Sequence, residues 1–280
     1  AKTVDGNVTP DRVLSGPDTG LGGNYGIEYD SRTKSILVED INDAIEIFDD
    51  ALSADGNVLP SRKIVGANTL LNGGYDLALD ERRDLLYATT NQGILVFDNA
   101  GTADGDVAPV RVITGAAVPI GGNDHRLALD EKHDRLFIAE YMNSTVLVYD
   151  NISTRDGDTA PDRVVTLSSS PWGIALDTKR DILYVSLYSA ATVEIFDNAS
   201  EIDGDIASDR SISGANVVMI EADDMACDPA SDMLYLTTGN SQKLMVWHNA
   251  STVTGDIAPD RVISGGNTGF SRPVDIVGIN

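Results

Sequence analysis

Residues 173–200 read GIALDTKRDILYVSLYSAATVEIFDNAS, and this stretch decides the fold. Three short runs, Gly173–Asp177, Ile182–Leu187 and Thr192–Ser200, are rich in β-branched and aromatic residues, with charged or small residues between them. Runs this short, with no 3.6-residue period, are expected to be strands rather than helices. A fourth run of the type DRVISG, ending at Gly265, follows a turn such as NISTRDGDTAPDRVV at 151–165.

The same order fills the chain. The turn glycine falls at Gly6, Gly56, Gly105, Gly157, Gly204 and Gly255, about fifty residues apart. Four strands per repeat of this length is the pattern of a β-propeller blade, and a helical solenoid would need apolar 3.6-residue stripes that the repeats lack. The chain is therefore read as one all-β domain over residues 1–280, a β-propeller of four-stranded antiparallel blades. The 173–200 stretch resembles the NHL and YVTN classes of propeller repeat. That resemblance implies that ALD is the inner strand, LYV and V-x-V-F-D are the next two, and DRVISG is the outer one. It implies nothing definite about activity, because such propellers serve as enzymes, adhesins and scaffolds.

Strand counting sets the blade number. The outer strand starts at Arg12, Arg62, Arg111, Arg163, Arg210 and Arg261, and the inner strand also recurs six times, ending with Asp275–Asn280. The two middle strands recur only five times. The expectation is a six-bladed ring with an incomplete last blade, its missing strands supplied by a continuation of the chain past Asn280 or by a partner through strand donation or oligomerisation; the alternative is a five-bladed ring with spare terminal strands.

Composition narrows the function. Asp and Glu total 44 against 20 Lys and Arg, a net charge of −24. Such a field repels phosphate backbones, which argues against nucleic acid, and it suits cations and an extracellular or periplasmic setting. No apolar run approaches the length of a membrane span. The single cysteine, Cys227, excludes an internal disulfide and reads as a buried structural thiol. No nucleophile elbow, Cys-x-x-Cys or phosphate-binding glycine loop occurs.

Two sets of candidate site residues follow. The Asp-Gly-Asp turns offer Asp104, Asp106, Asp156 and Asp158 as Ca²⁺ ligands, against a reading as turns alone, which tolerates the Asn57 and Thr254 replacements. The outer-strand arginines are expected to pair with neighbouring aspartates. At the channel mouth the repeats stop agreeing. Aligning the inner strands on their apolar pairs places Tyr25, Tyr75, His125, Trp172, Asp223 and Asp275 in one ring, with Asp76, Arg126 and Asp224 just inside it. These are the candidate ligand or partner residues. Glu28, where the other repeats have Ala or Gly, is a further candidate metal ligand.

The preferred function is a non-enzymatic, acidic, exported binding propeller that engages a protein partner or ligand at the mouth, or builds a surface assembly. The alternative is a metal-dependent hydrolase or lyase. Six-bladed lactonases hold a divalent ion in the channel on Glu, Asn and Asp ligands, which Glu28, Asp76, Asp223, Asp224 and Asp275 could imitate, with His125 as a base.

Overall fold

The computed structural model describes residues 3–91, 93–120, 125–217, 219 and 221–278. Within them the chain forms five four-stranded antiparallel sheets, each built from strands consecutive in sequence. Blade 1 is β1–β4 (Asn24–Asp30, Ser35–Asp40, Ala44–Phe48, Arg62–Val65) and blade 2 is β5–β8 (Leu77–Asp80, Leu85–Thr90, Gly93–Asp98, Arg111–Thr114). Blade 3 is β9–β12 (His125–Asp130, Arg135–Glu140, Thr145–Asp150, Arg163–Thr166). Blade 4 is β13–β16 (Pro171–Asp177, Ile182–Leu187, Thr192–Asp197, Arg210–Ile212) and blade 5 is β17–β20 (Ala222–Asp228, Met233–Thr238, Lys243–His248, Arg261–Ser264). The protein is an all-β propeller, and the six-bladed expectation is corrected: five blades form, as in the alternative.

The physical reason lies in how the ring closes without a sixth sheet. Around the rim, the outer strand of each blade makes one parallel bridge to the glycine of the next Asp-Gly turn: Ile64 to Gly105, Ile113 to Gly157, Val165 to Gly204 and Ile212 to Gly255. The circuit continues through the N-terminal segment, from Ile263 to Gly6 and from Leu14 to Gly56. Residues 11–15 thus lie on the rim in an outer-strand position, held by a bridge without belonging to a sheet. Residues 272–278 carry no strand assignment, and the remainder of the sixth inner strand, Ile279 and Asn280, lies outside the described residues.

Alternating apolar side chains fill the layers between blades. One layer joins blades 1 and 2 through Ile45, Ile64, Leu86 and Phe97. Others join blades 2 and 3, 3 and 4, and 4 and 5, the last around Tyr184, Leu236 and Trp247. Beyond blade 5 the layer shrinks to Met233, Tyr235 and Val246, with Leu244 and Ile276 packed on it.

The Asp-Gly-Asp turn is an inter-blade staple. Its first Asp accepts the N–H of the preceding outer strand: Val13, Lys63, Val112, Val164 and Val262 donate to Asp55, Asp104, Asp156, Asp203 and Asp5 at 2.9–3.1 Å. The residue after the glycine accepts one more N–H from the preceding blade's loop, as in Asn68 to Asp106 at 2.7 Å and Ala117 to Asp158 at 2.6 Å. Asn57 does the same for Asp18 at 2.8 Å, so this position needs an acceptor and not a charge. Gly66 seals the contact, since a Cβ there would lie 2.3 Å from the Asp106 carboxyl carbon.

The outer arginines behave as expected in three blades. Arg62, Arg163 and Arg210 pair with Asp49, Asp150 and Asp197, and each donates to a carbonyl of the next turn. The repeated Asn-x-Ser is also structural: Asn151, Asn198 and Asn249 adopt φ of 52–57°, and Ser153, Ser200 and Ser251 bond Asp134, Asp181 and Asp232.

Candidate functional site in the central channel

The inner strands β1, β5, β9, β13 and β17 surround the channel, and segment 274–278 occupies the interval between β17 and β1. Hydrogen bonds fix the register. Leu127 N–H donates to Asp76 at 2.7 Å, Ile27 N–H to Asp275 at 2.7 Å and Ile276 N–H to Asp224 at 3.4 Å. One ring of equivalent positions therefore contains Gly26, Asp76, Arg126, Gly173, Asp224 and Asp275. This moves Asp275 one residue inward from the mouth position that apolar alignment gives it.

Each ring aspartate laces its own strand to the next. Asp76 and Asp275 also accept the N–H of the following residue, Leu77 at 2.9 Å and Ile276 at 2.6 Å. Hydroxyls on the neighbouring strand hold the ring from behind: Thr89 accepts Asp76 N–H at 2.9 Å and Thr237 accepts Asp224 N–H at 3.1 Å. At Gly173 the strands come so close that a Cβ would lie 2.3 Å from the Asp223 carbonyl oxygen, so no side chain fits there.

Arg126 closes the mouth end. Its guanidinium crosses the channel and donates to the carbonyls of Tyr25 at 2.7 Å, Tyr75 at 2.5 Å and Val274 at 3.0 Å. It lies 4.0 Å from the Asp76 carboxylate and is only 4% exposed. Below this plug is a cavity of about 250 Å³, lined by Asp76, Asp224, Asp275 and Glu28, with Leu79, Leu129, Leu176, Cys227 and Val277 among its walls and Glu81 and Glu131 further along.

The electrostatics are those of acids crowded away from water. Burial raises Glu28 well above the ordinary carboxylate range, and the nearby Asp76 charge adds to it. Burial likewise raises Asp76 and Asp224, with the Asp275 charge as the next cause in both. Side-chain hydrogen bonding with Asp275 adds to the rise at Asp224. Burial lifts the Cys227 thiol to about 12, and its Sγ donates to the Leu176 carbonyl at 3.1 Å, which makes it an inert wall residue.

The structure thus brings together Glu28, Asp76, Arg126, Asp224 and Asp275. His125 and Asp223 are fully buried and face the interior, so they present no surface to a partner. Asp223 accepts the Gly239 N–H, and burial raises its carboxyl to about 6. At the mouth, Tyr25 packs on Tyr75 with centroids 5.5 Å apart, while Trp172 sits between Tyr141 and Tyr188 at 5.6 and 4.8 Å. Asp104, Asp106, Asp156 and Asp158 are exposed on the rim, away from Glu28, and bind backbone amides as staples. Among the described residues, no group of three or more His, Cys, Asp or Glu side chains is arranged to hold a metal ion.

Sequence reasoning missed Glu39. It is buried opposite Gly26, and neither carboxyl oxygen has a hydrogen-bond partner among the described residues. Burial, then the Asp76 charge, raises it well above the ordinary range. The signal was present, because the equivalent residues are Thr89, Ala139, Ser186 and Thr237.

No protein-family model matches the chain. No curated protein matches it either. Solved structures do match, 1400 chains in all. One is a chain in the crystal structure of a nidogen/laminin complex, with 16% identity, a TM-score of 0.57, and coverage of 86% of this chain and 82% of that one. At that identity the likeness shows the propeller fold.

Proposed function

We propose that this protein is a binding propeller whose ligand enters the central channel and carries a positive charge on a small apolar body, as an alkylammonium does. One observation carries this reading: the carboxylates of Glu28, Asp76, Asp224 and Asp275, with Glu81 and Glu131 further along, line a cavity whose other walls are mostly apolar, and the nearby Arg126 guanidinium is already bonded to three carbonyls. Buried negative charge of this kind binds either protons or a cation. The channel is favoured over the mouth face because His125, Arg126, Asp76, Asp223 and Asp224 are turned inward. The mouth aromatics Tyr25, Tyr75 and Trp172 remain the candidates for partner contact in an exported propeller of the NHL or YVTN type.

A channel-centred hydrolase or lyase is the second reading. It is favoured by the closeness of the Asp224 and Asp275 carboxyls in the channel, since an acid held beside a carboxylate can give and take a proton. The lactonase-type divalent ion does not fit the residues as they stand, because Asp76 and Asp275 each already accept two backbone N–H groups.

Calorimetric titration tests the main reading. Butylammonium chloride is expected to bind saturably at pH 7.5, butanol is not, and Glu28→Gln is expected to weaken binding about tenfold, near 1.4 kcal/mol. Binding of calcium chloride in place of butylammonium, or butylammonium binding indifferent to Glu28→Gln, would contradict it.

A further inference from the structure

The interval between blade 5 and blade 1 holds pieces of an inner and an outer strand, and among the described residues no strand is paired between them. On the rim, Leu14 bridges Gly56 as Ile64 bridges Gly105. In blade 1 the channel side of that outer strand is hydrogen-bonded to β3, through pairs such as Ile64 with Ile45. Among the described residues, no strand pairs with residues 11–15 on that side. Val13 is accordingly 50% exposed. Between this segment and Val274 lies a groove of about 530 Å³, whose apolar lining includes Leu14, Leu21, Ile27, Ile36 and Val38.

Arg12 marks the charge that is wanted. Its counterparts Arg62, Arg163 and Arg210 pair with Asp49, Asp150 and Asp197, each following an aromatic residue (Phe48, Tyr149, Phe196) at the end of the third strand's apolar run. Arg12 is exposed, and among the described residues no carboxylate pairs with it.

We propose that this groove is a docking site for a β-hairpin of a partner protein, whose two strands add beside residues 11–15 and 274–278. Its second strand ends in an aromatic residue followed by Asp. Main-chain pairing supplies the affinity, the apolar slot selects alternating side chains, and the Asp–Arg12 pair sets the register. A polypeptide strand is the occupant that matches both the unpaired backbone edge and the cation at its end. A small apolar ligand would leave the edge unpaired.

The probe is a fluorescein-labelled synthetic peptide with the sequence of residues 134–151, DRLFIAEYMNSTVLVYDN, titrated with the whole chain and read by anisotropy. Saturable binding is expected, weakened roughly tenfold by Arg12→Ala and equally by Asn at the peptide's Asp150 position, with no further loss when both are changed. Arg12→Ala removes an exposed side chain, so an unchanged melting curve shows that the fold persists. Leu14→Asp is expected to abolish binding. No saturation up to about 1 mM, or binding indifferent to both variants, would overturn the proposal. So would sedimentation of the free chain as a dimer that Leu14→Asp dissociates, because a second copy would then be the occupant.

Discussion

Replacing Arg126 with Met is expected to destabilise the protein by about 3–5 kcal/mol at pH 7.5, the usual cost of removing one partner from a buried charge cluster. Met keeps most of the apolar stem, so little packing is lost. What goes is the guanidinium that serves the carbonyls of Tyr25, Tyr75 and Val274 together. Those carbonyls belong to blade 1, blade 2 and the terminal segment, so the substitution cuts the link between the ring and the segment that closes it. It also removes the cation nearest Asp76 and leaves the cluster with uncompensated charge. The melting temperature should fall by roughly 10 °C for a chain of this size. The loss should shrink at pH 5, where the raised carboxyls hold protons. A loss below about 1 kcal/mol at pH 7.5, or one independent of pH, would show that Arg126 is not the keystone of the channel.

The second large effect is the pH dependence of stability. Glu28, Glu39, Asp76 and Asp224 keep their protons to higher pH in the folded chain than in the unfolded one, because burial disfavours their ionised forms. The stabilisation from such groups is complete below the ordinary carboxylate range and is lost as pH rises through the raised values. For Asp223, raised to about 6, the window runs from the ordinary carboxylate range near 4 up to about 6, and the loss is on the order of 3 kcal/mol. Asp49 and Asp150 act oppositely. Asp49 is held low by the Ser35 and Arg62 hydrogen bonds, and Asp150, despite some burial, by Arg135 and Arg163. Their contribution is present above the ordinary range and fails only as pH drops below it. Stability should therefore peak between about pH 4 and 5.5 and decline toward pH 8, and self-repulsion of the −24 net charge adds in the same direction. Denaturant midpoints across that range measure it. A midpoint that rises steadily from pH 5 to 8 would contradict the channel electrostatics.

Much of the fold is legible in the sequence because propeller blades repeat their local chemistry. The run GIALDTKRDILYV carries its own turn: Asp177 accepts the N–H groups of Lys179 and Arg180, and Asp181 adopts φ of 60°. Blade number is less legible. The copies of strands predict a sixth blade, but closure depends on the staples, and those of Asp5 and Asp55 complete the rim through residues 6–14 without a sixth sheet. The staple role of Asp104 and Asp156 needs the neighbouring blade and is invisible in one repeat.

The candidate site is legible in its membership and not in its directions. Asp76, Asp224, Arg126 and Glu28 stand out because their repeats disagree, yet only the structure shows that Arg126 reaches across the channel and does not face solvent. Asp275 was misplaced by one residue because DIVGIN aligns on its apolar residues, whereas hydrogen bonds align it on its carboxylate. Glu39 was missed because a carboxylate in a strand reads as solvent-facing until the neighbouring Gly74 shows how closely it is enclosed.

The central claim is that the channel carboxyls keep their protons above the ordinary carboxylate range and exchange them for a cation. Side-chain carboxyl ¹³C shifts, followed by NMR from pH 3 to 9 with Glu28→Gln and Asp224→Asn for assignment, test it most directly. The expected result is that Glu28, Asp76 and Asp224 titrate well above the ordinary carboxylate range, and that butylammonium moves their transitions to lower pH. Titration of all three near pH 4, unaffected by butylammonium, would contradict the account.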